Sequence, residues 1–323
     1  MTSDPDIYYM RMALNLARRG LGHVAPNPSV GCVIVKNGVV VGRGRTAHGG
    51  RPHAEAVALE HAGMAAKGAT AYVTLEPCAV AGRAGPCAAA LVNAGIKRAV
   101  IACNDLNPAV YKKGLEVLEE AGVEVRFGVL EEEAKAVHLG FFLRITENRP
   151  FVTCKLAVSA DGKVAVAPGQ RTQISGVLAQ RYMHLQRSMH DAILVGAQTF
   201  RVDRPKLTTR LEGLEHEPLR VVLGDVDAPG FLVLKDMGVA GVLAAMAEKG
   251  ITRLLVEGGV KVHQSFLAAG VVDEFQLCRS PLVLGEEGVA GLSGADIEAL
   301  SGLRLQKTRG LGEDVLEIYG RAD

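Results

Sequence analysis

Apolar positions recur at helical spacing over residues 4–20 and stop at Gly20, which predicts an opening helix. The period then changes. "SVGCVIV", Asn37-Gly38 and "VVVGRG" read as two strands joined by a primed two-residue turn. An Ala-rich helix follows over 53–66, then the strand "ATAYVTLE" and a short helix over 87–93. The strand "KRAVIAC", a helix over 110–121 and the strand "VEVRF" extend the alternation. Such alternation builds a sheet with helices on its faces.

"ITENRP" at 145–150 is polar, ends in proline and precedes a new apolar strand, so it marks a domain boundary. Beyond it "FVTCKLAVSADGKVA" opens a second series, with helices over 176–189, 239–248 and 260–269. Its further strands fall at 192–196, 219–224, 253–259 and 274–280. The expectation is an α/β protein with domains at 1–145 and 151–323. No internal repeat or low-complexity tract interrupts either series.

Composition supports that class and narrows the partners. A chain of 323 residues, 48% hydrophobic and with 38 glycines, suits two cores and many tight strand-to-helix turns. Lys plus Arg (36) nearly balance Asp plus Glu (35), and Trp is absent, so no nucleic-acid partner is expected. The first residues carry acids rather than an apolar leader, and no apolar run approaches the roughly 20 residues of a membrane span. Six cysteines in so long a chain make no disulfide scaffold, and a reducing cytoplasm is the expected location.

Candidate chemistry begins at "HAEAVAL". His53 and Glu55 open the Ala-rich helix, while Cys78 and Cys87 flank the loop after the strand "ATAYVTLE". Singly these are a polar helix start and two small core side chains. Together they offer one imidazole and two thiolates, a set that suits Zn²⁺ and leaves its fourth position to water. His61 lies two turns on, about 12 Å away at ~1.5 Å per residue, and cannot close that sphere. Glu55 is then placed to take a proton from the metal-bound water and pass it to a leaving amine. The order H-x-E…P-C…C matches the zinc deaminases, with eight residues between the cysteines where two are usual.

The second half is less specific. Lys155, Ser159 and Asp161 alternate along one strand and its end and so face one side, as a polar pocket or a solvated face. Gly258-Gly259, between a strand and a helix, makes a phosphate cradle without the G-x-G-x-x-G of a Rossmann turn. Arg187 and Arg210 are candidates for bidentate pairing with a substrate phosphate.

The motifs "APNPSVGCVIV", "GGRPHAEAVAL", "TLEPC…GR…PC" and "ACNDLNP" follow one another in the first half. "KLAVSADGKVA", "DAILVGAQTF", "RPKLTTR", "RVVLGD" and "LLVEGG" follow in the second. In this order the chain resembles the bifunctional riboflavin-biosynthesis deaminase/reductase family, to which the wider cysteine spacing also belongs. The resemblance implies a cytidine-deaminase-like three-layer α/β/α domain followed by a dihydrofolate-reductase-like domain. It implies zinc-dependent hydrolytic loss of a ring amine from a diaminopyrimidinone bearing a ribosylamine 5′-phosphate. NADPH-dependent reduction of the ribosyl group to ribityl would follow.

By the same resemblance Glu55 acts as general acid/base, and Asn27, Arg83, Lys155, Ser175, Arg187, Asp203, Leu207, Arg210 and Glu257 bind substrate. Ser159, Asp161, Gly162, Gly196, Thr199, Gly258 and Gly259 would hold NADPH. Members of the family are usually homo-oligomers, and the Ala-rich helix faces would permit packing between subunits.

Three positions depart from the family pattern. Val80 stands where the loop after the first cysteine commonly carries a histidine, a lost polar contact of about 1 to 3 kcal/mol. Thr46 also replaces a common histidine. Arg204 follows Asp203 where a second acid is usual, which changes both proton supply and cofactor electrostatics. A family member with an altered site, a deaminase of another pyrimidine or of a nucleic-acid base, and a non-catalytic ligand sensor are the alternatives.

Overall fold

In the computed structural model, which describes residues 4–79, 85–213 and 216–321, the two series fold as separate units, Met1–Asn148 and Arg149–Asp323. The first unit runs α1 (Pro5–Arg18), β1 (Gly31–Lys36), β2 (Val39–Arg45), α2 (Ala54–Ala62) and β3 (Thr70–Val73). It continues with α3 (Cys87–Asn93), β4 (Arg98–Ile101), α4 (Lys113–Glu120), β5 (Glu124–Phe127) and α5 (Glu131–Thr146). Asp4 caps α1 by accepting from the Asp6 amide, with Pro5 in the first turn. Asn37 (φ +52°) and Gly38 (φ +78°) supply the two positive φ angles that a primed hairpin turn demands. The sheet order is β2-β1-β3-β4-β5, with β1 antiparallel to both neighbours and β3 to β5 parallel.

Two glycines of β2 explain why α2 is rich in alanine. A Cβ on Gly42 would stand 2.2 Å from the Ala58 carbonyl oxygen, and one on Gly44 2.3 Å from that of Ala54. The backbone of α2 therefore lies directly on β2, with Ala54, Ala58 and Ala62 turned inward. This corrects one expectation: the alanine face of α2 is spent inside the unit and is not left for a neighbouring subunit. The α-helix ends at Ala62 on Gly63 (φ +50°) and a 3₁₀ turn carries the chain on through Ala66, while α4 starts only at Lys113. The sequence reading has no element where α5 lies, although Glu131, Glu132 and Glu133 in its first turn and Arg144 in its last complement the helix dipole.

The second unit opens with β6 (Phe151–Val158), β7 (Lys163–Ala165), α6 (Val177–Ser188), β8 (Ala192–Gly196) and α7 (Ala197–Asp203). Next come β9 (Leu219–Leu223), β10 (Leu232–Leu234), α8 (Val239–Glu248), β11 (Arg253–Val256) and α9 (Val260–Ala268). It closes with β12 (Glu274–Arg279), β13 (Val289–Ala290), α10 (Gly294–Ser301), β14 (Arg304–Leu311) and β15 (Asp314–Gly320). The main sheet is ordered β10-β9-β8-β11-β6-β12-β15-β14, parallel from β10 to β12 and antiparallel beyond. Its central strands are covered on both faces, so "AILVG" and "LLV" read as unbroken apolar runs. The edge strand β14, "RLQKTRGL", is exposed along almost its whole length and shows no apolar alternation. It escapes the sequence reading for that reason.

The strand order also places a switch point. From β8 the chain moves outward to β9 and β10, and from β11 it moves the other way to β12. The switch point falls between the carboxyl ends of β8 and β11, the place where open α/β sheets form their ligand crevice. Among the described residues no helix is long and apolar enough to cross a membrane.

Candidate functional site

Because α2 lies flat on β2, its N-cap His53 is delivered to the end of the sheet, with no capping bond occupying the ring. Cys78 follows β3 and Pro77, and Cys87 opens α3. His53 Nδ1 lies 3.3 Å from Cys87 Sγ and 3.7 Å from Cys78 Sγ, and the Cys87 amide donates to Cys78 Sγ at 3.4 Å. All three ligand atoms fall within 4.8 Å of one another. A tetrahedral Zn²⁺ with bonds of about 2.3 Å to sulfur and 2.0 Å to nitrogen needs N···S separations near 3.5 Å, so the donor set fits. Cys78 is held down to about 4 by the Cys87 thiol and by His53, whereas its partnership with Cys78 and burial push Cys87 up. Glu55, 3% exposed and within hydrogen-bonding reach of Cys87, is raised to about 7 chiefly by burial.

The surrounding loops hold their shape through particular contacts. A Cβ on Gly50 (φ +87°) would stand 2.0 Å from Asn27 Nδ2, so only glycine leaves the Asn27 amide its place. Thr46 accepts from the Val30 amide at 2.9 Å and donates to the Pro28 carbonyl at 3.0 Å. The threonine that replaces a common histidine is thus a buried tie for the segment carrying Asn27. His61 turns away from the cluster and bonds the Arg43 carbonyl. Val80 and Arg83 lie outside the described residues.

The sequence reading passes over Glu76 as the end of a strand. Its buried carboxylate accepts from the amides of Asp105 (3.3 Å), Lys112 (3.0 Å) and Gly114 (2.9 Å), binding the loop before α4 to the stretch that carries Cys78. The available signal is an acid inside an apolar strand, two residues before a candidate ligand.

In the second unit the crevice between β8 and β11 gathers four of the expected cofactor residues. A Cβ on Gly258 would lie 3.0 Å from Thr199 Cγ2, one on Gly259 3.3 Å from Thr199 Oγ1, and one on Gly196 3.8 Å from the Gly258 carbonyl. Beside it, half-buried Lys155 has its pKa lowered by burial, with Glu257, Arg187 and Asp314 as charged neighbours.

Several expected roles are redirected. Arg187 presents no bidentate edge to a phosphate: its Nε and one terminal nitrogen each meet a Glu257 oxygen at 2.6 Å, and the other nitrogen donates to the Thr208 carbonyl. Ser159 and Asp161 are engaged with the protein itself. Ser159 donates to Asp161 at 2.6 Å within the turn after β6, beside Gly162 (φ +75°), and Asp161 accepts from the amides of Leu284 and Gly285. Leu207 (φ +51°) buries its side chain in the core against Met183 and Ile193, leaving its backbone for any ligand. Ser175 offers its carbonyl to Gln173 and Gln180, and Arg210 is exposed near His184. Asp203 is raised by burial, and the charge opposing that shift is Arg171 and not the adjacent Arg204, which is exposed in a left-handed turn.

The family model described as the cytidine and deoxycytidylate deaminase zinc-binding region matches residues 3–103, and the RibD C-terminal domain matches residues 150–316. The riboflavin biosynthesis protein RibD of Aquifex aeolicus is 38% identical, covering 99% of this chain and 100% of its own. That of Escherichia coli is 35% identical over 98% and 99%. Among solved structures, Acinetobacter baumannii RibD superposes with a TM-score of 0.89 at 33% identity, covering 98% and 99% of the two chains. The diaminohydroxyphosphoribosylaminopyrimidine deaminase/5-amino-6-(5-phosphoribosylamino)uracil reductase of Thermotoga maritima does so with a TM-score of 0.88 at 33% identity and the same coverage.

Proposed function

This chain belongs to the RibD family, the bifunctional deaminase/reductases of riboflavin biosynthesis that use Zn²⁺ and NADPH, and we propose which of its residues carry each reaction. We assign deamination to the Met1–Asn148 unit and reduction to the Arg149–Asp323 unit. His53, Cys78 and Cys87 hold the metal, an assignment supported by the approach of His53 Nδ1 to both sulfurs. A Zn²⁺ held there would supply a hydroxide-like nucleophile near neutral pH. Glu55 would carry the proton released by the attacking water to the departing amine, and Asn27 would orient the ring.

For the second reaction, Gly196, Thr199, Gly258 and Gly259 cradle the dinucleotide, while Gly162 lets the turn after β6 pass beside it. NADPH held there would supply a hydride, and a proton from the acid of the site, assigned to Asp203, would complete the reduction of ribosyl to ribityl. Lys155 and Glu257 bind the sugar, and Arg187 acts through Glu257 by holding its carboxylate. Ser175, the Leu207 backbone and Arg83 complete the substrate contacts, with Arg210 exposed to meet the 5′-phosphate. Asp203 keeps the acidic role despite its altered neighbour, while Ser159 and Asp161 shape the cofactor side by holding the loop at 284–285.

Among the described residues no cysteine is paired in a disulfide, which supports a cytoplasmic location. The test is a mass-spectrometric time course on zinc-analysed protein supplied with the diaminopyrimidinone ribosylamine phosphate. Deamination is expected without NADPH and reduction only after its addition. A zinc-loaded protein that yields neither product would overturn the assignment.

A further inference from the structure

The dinucleotide's nicotinamide end must face the substrate, and Lys155, Arg187 and Glu257 stand on the β6–β11 side of the crevice. On the other side of the switch point lie the carboxyl ends of β8, β9 and β10. Strands β9 and β10 are parallel with Leu223 opposite Leu234, and the Gly224 amide donates to the Leu234 carbonyl at 2.9 Å. Asp225 and Lys235 consequently emerge on the same edge, about 10 Å from the crevice at ~4.8 Å per strand. Their charges meet, Lys235 Nζ to Asp225 Oδ1, at 2.5 Å. Arg201 joins them by donating to the Asp225 carbonyl at 2.5 Å. It lies one turn along α7 from Ala197, whose Cβ would stand 2.9 Å from a Cβ on Gly224.

A carboxylate at such a strand end hydrogen-bonds the 2′-hydroxyl of an unphosphorylated adenosine ribose, whereas a cation there accommodates a 2′-phosphate. This chain places both in contact. The charges of Asp236 and Asp227 act on Lys235 as well, but only Asp225 is paired with it. Lys235 and Asp225 are 58% and 77% exposed, and an ion pair so open contributes little to folding.

We propose that Asp225, Lys235 and Arg201 form the adenosine-ribose subsite, and that Asp225 and Lys235 set the choice between NADPH and NADH in opposite directions. This rests on reading the second unit as the reductase. With NADPH, Lys235 and Arg201 take the 2′-phosphate while Asp225 repels it. With NADH, Asp225 accepts from the 2′-hydroxyl.

The experiment is equilibrium titration of nicotinamide fluorescence with NADPH and with NADH, on the full chain and on its Asp225→Ser and Lys235→Ala variants. Asp225→Ser is expected to raise the NADPH-over-NADH affinity ratio about tenfold and Lys235→Ala to lower it about tenfold, each by one charged contact. Thermal unfolding should be unchanged in both. A ratio that stays within about twofold of the wild type in either variant, or moves the same way in both, overturns the subsite. A wild-type chain that binds neither dinucleotide overturns the reductase reading and the subsite with it. Binding with an unmoved ratio sinks the subsite alone.

Discussion

The two units solve the same problem, holding reactive groups still, by opposite means. In the first, His53 and Cys87 stand 34 positions apart, and the donor atoms converge where a helix start and a strand end meet. Glu55 is buried against them, so burial tunes the chemistry. In the second, the partners Arg187 and Glu257 are 70 positions apart and the groups spread along a sheet edge. Glycines there make room and ion pairs set position. A metal site needs few donors at fixed separations, whereas a dinucleotide needs a long, open surface.

The largest effect should come from removing the proton carrier of the compact site. Glu55→Gln keeps the shape but not the base, and deamination is expected to fall by roughly 10² to 10⁴-fold. Zinc content should remain one per chain, and reduction of separately supplied deaminated intermediate should be untouched. Mass spectrometry of both half-reactions with metal analysis checks this; a matching loss of reduction would erase the separation between units.

The spread site should break through its charge pair. Arg187→Met leaves the Glu257 carboxylate buried without its partner, a loss of about 3 to 5 kcal/mol in unfolding free energy. Adding Glu257→Gln should recover much of that stability without restoring reduction. Denaturant unfolding of the two single variants and the double variant separates the outcomes, and additive losses would mean the pair is not a unit.

Acid should also tell the units apart. Burial lowers His190 to about 3 and His263 to about 4 in the second unit, and His138 to about 4 in the first. Each folded pKa is depressed, so the stability linked to it is complete above about 6.5 and is lost as pH falls toward the folded value. Asp105, raised to about 6 by burial in the first unit, works in the opposite sense, its cost being relieved as pH drops below 6. Between pH 6.5 and 5 each histidine contributes a loss of about 2 kcal/mol, so the second unit should loosen first. Hydrogen exchange at pH 7 and pH 5, read peptide by peptide, checks the order.

How much of each site is legible in the sequence follows the same division. His53, Glu55, Cys78 and Cys87 announce themselves, because few other patterns combine an imidazole, an acid and two thiols at helix starts and a strand end. Glu76 does not, since its value lies in three amides from a loop nearly thirty residues or more away. Arg187 looks like a phosphate ligand until the fold brings Glu257 to it. Asp161 looks like a pocket wall until its oxygens are found holding the Leu284 and Gly285 amides. Strand β14 is illegible because it has no apolar alternation, and helix α5 shows itself mainly through the acids of its first turn and the arginine of its last.

By itself, the sequence determined the alternating elements, the hairpin turn at Asn37-Gly38, and the donor types of the metal site. These depend on local backbone preference and on side-chain chemistry, both written residue by residue. Only the tertiary structure decided that α2 rests on Gly42 and Gly44, that Arg187 answers Glu257, and that Asp225 meets Lys235 beyond the crevice. Those are outcomes of close approach between distant segments, and distance along the chain carries no record of distance in space.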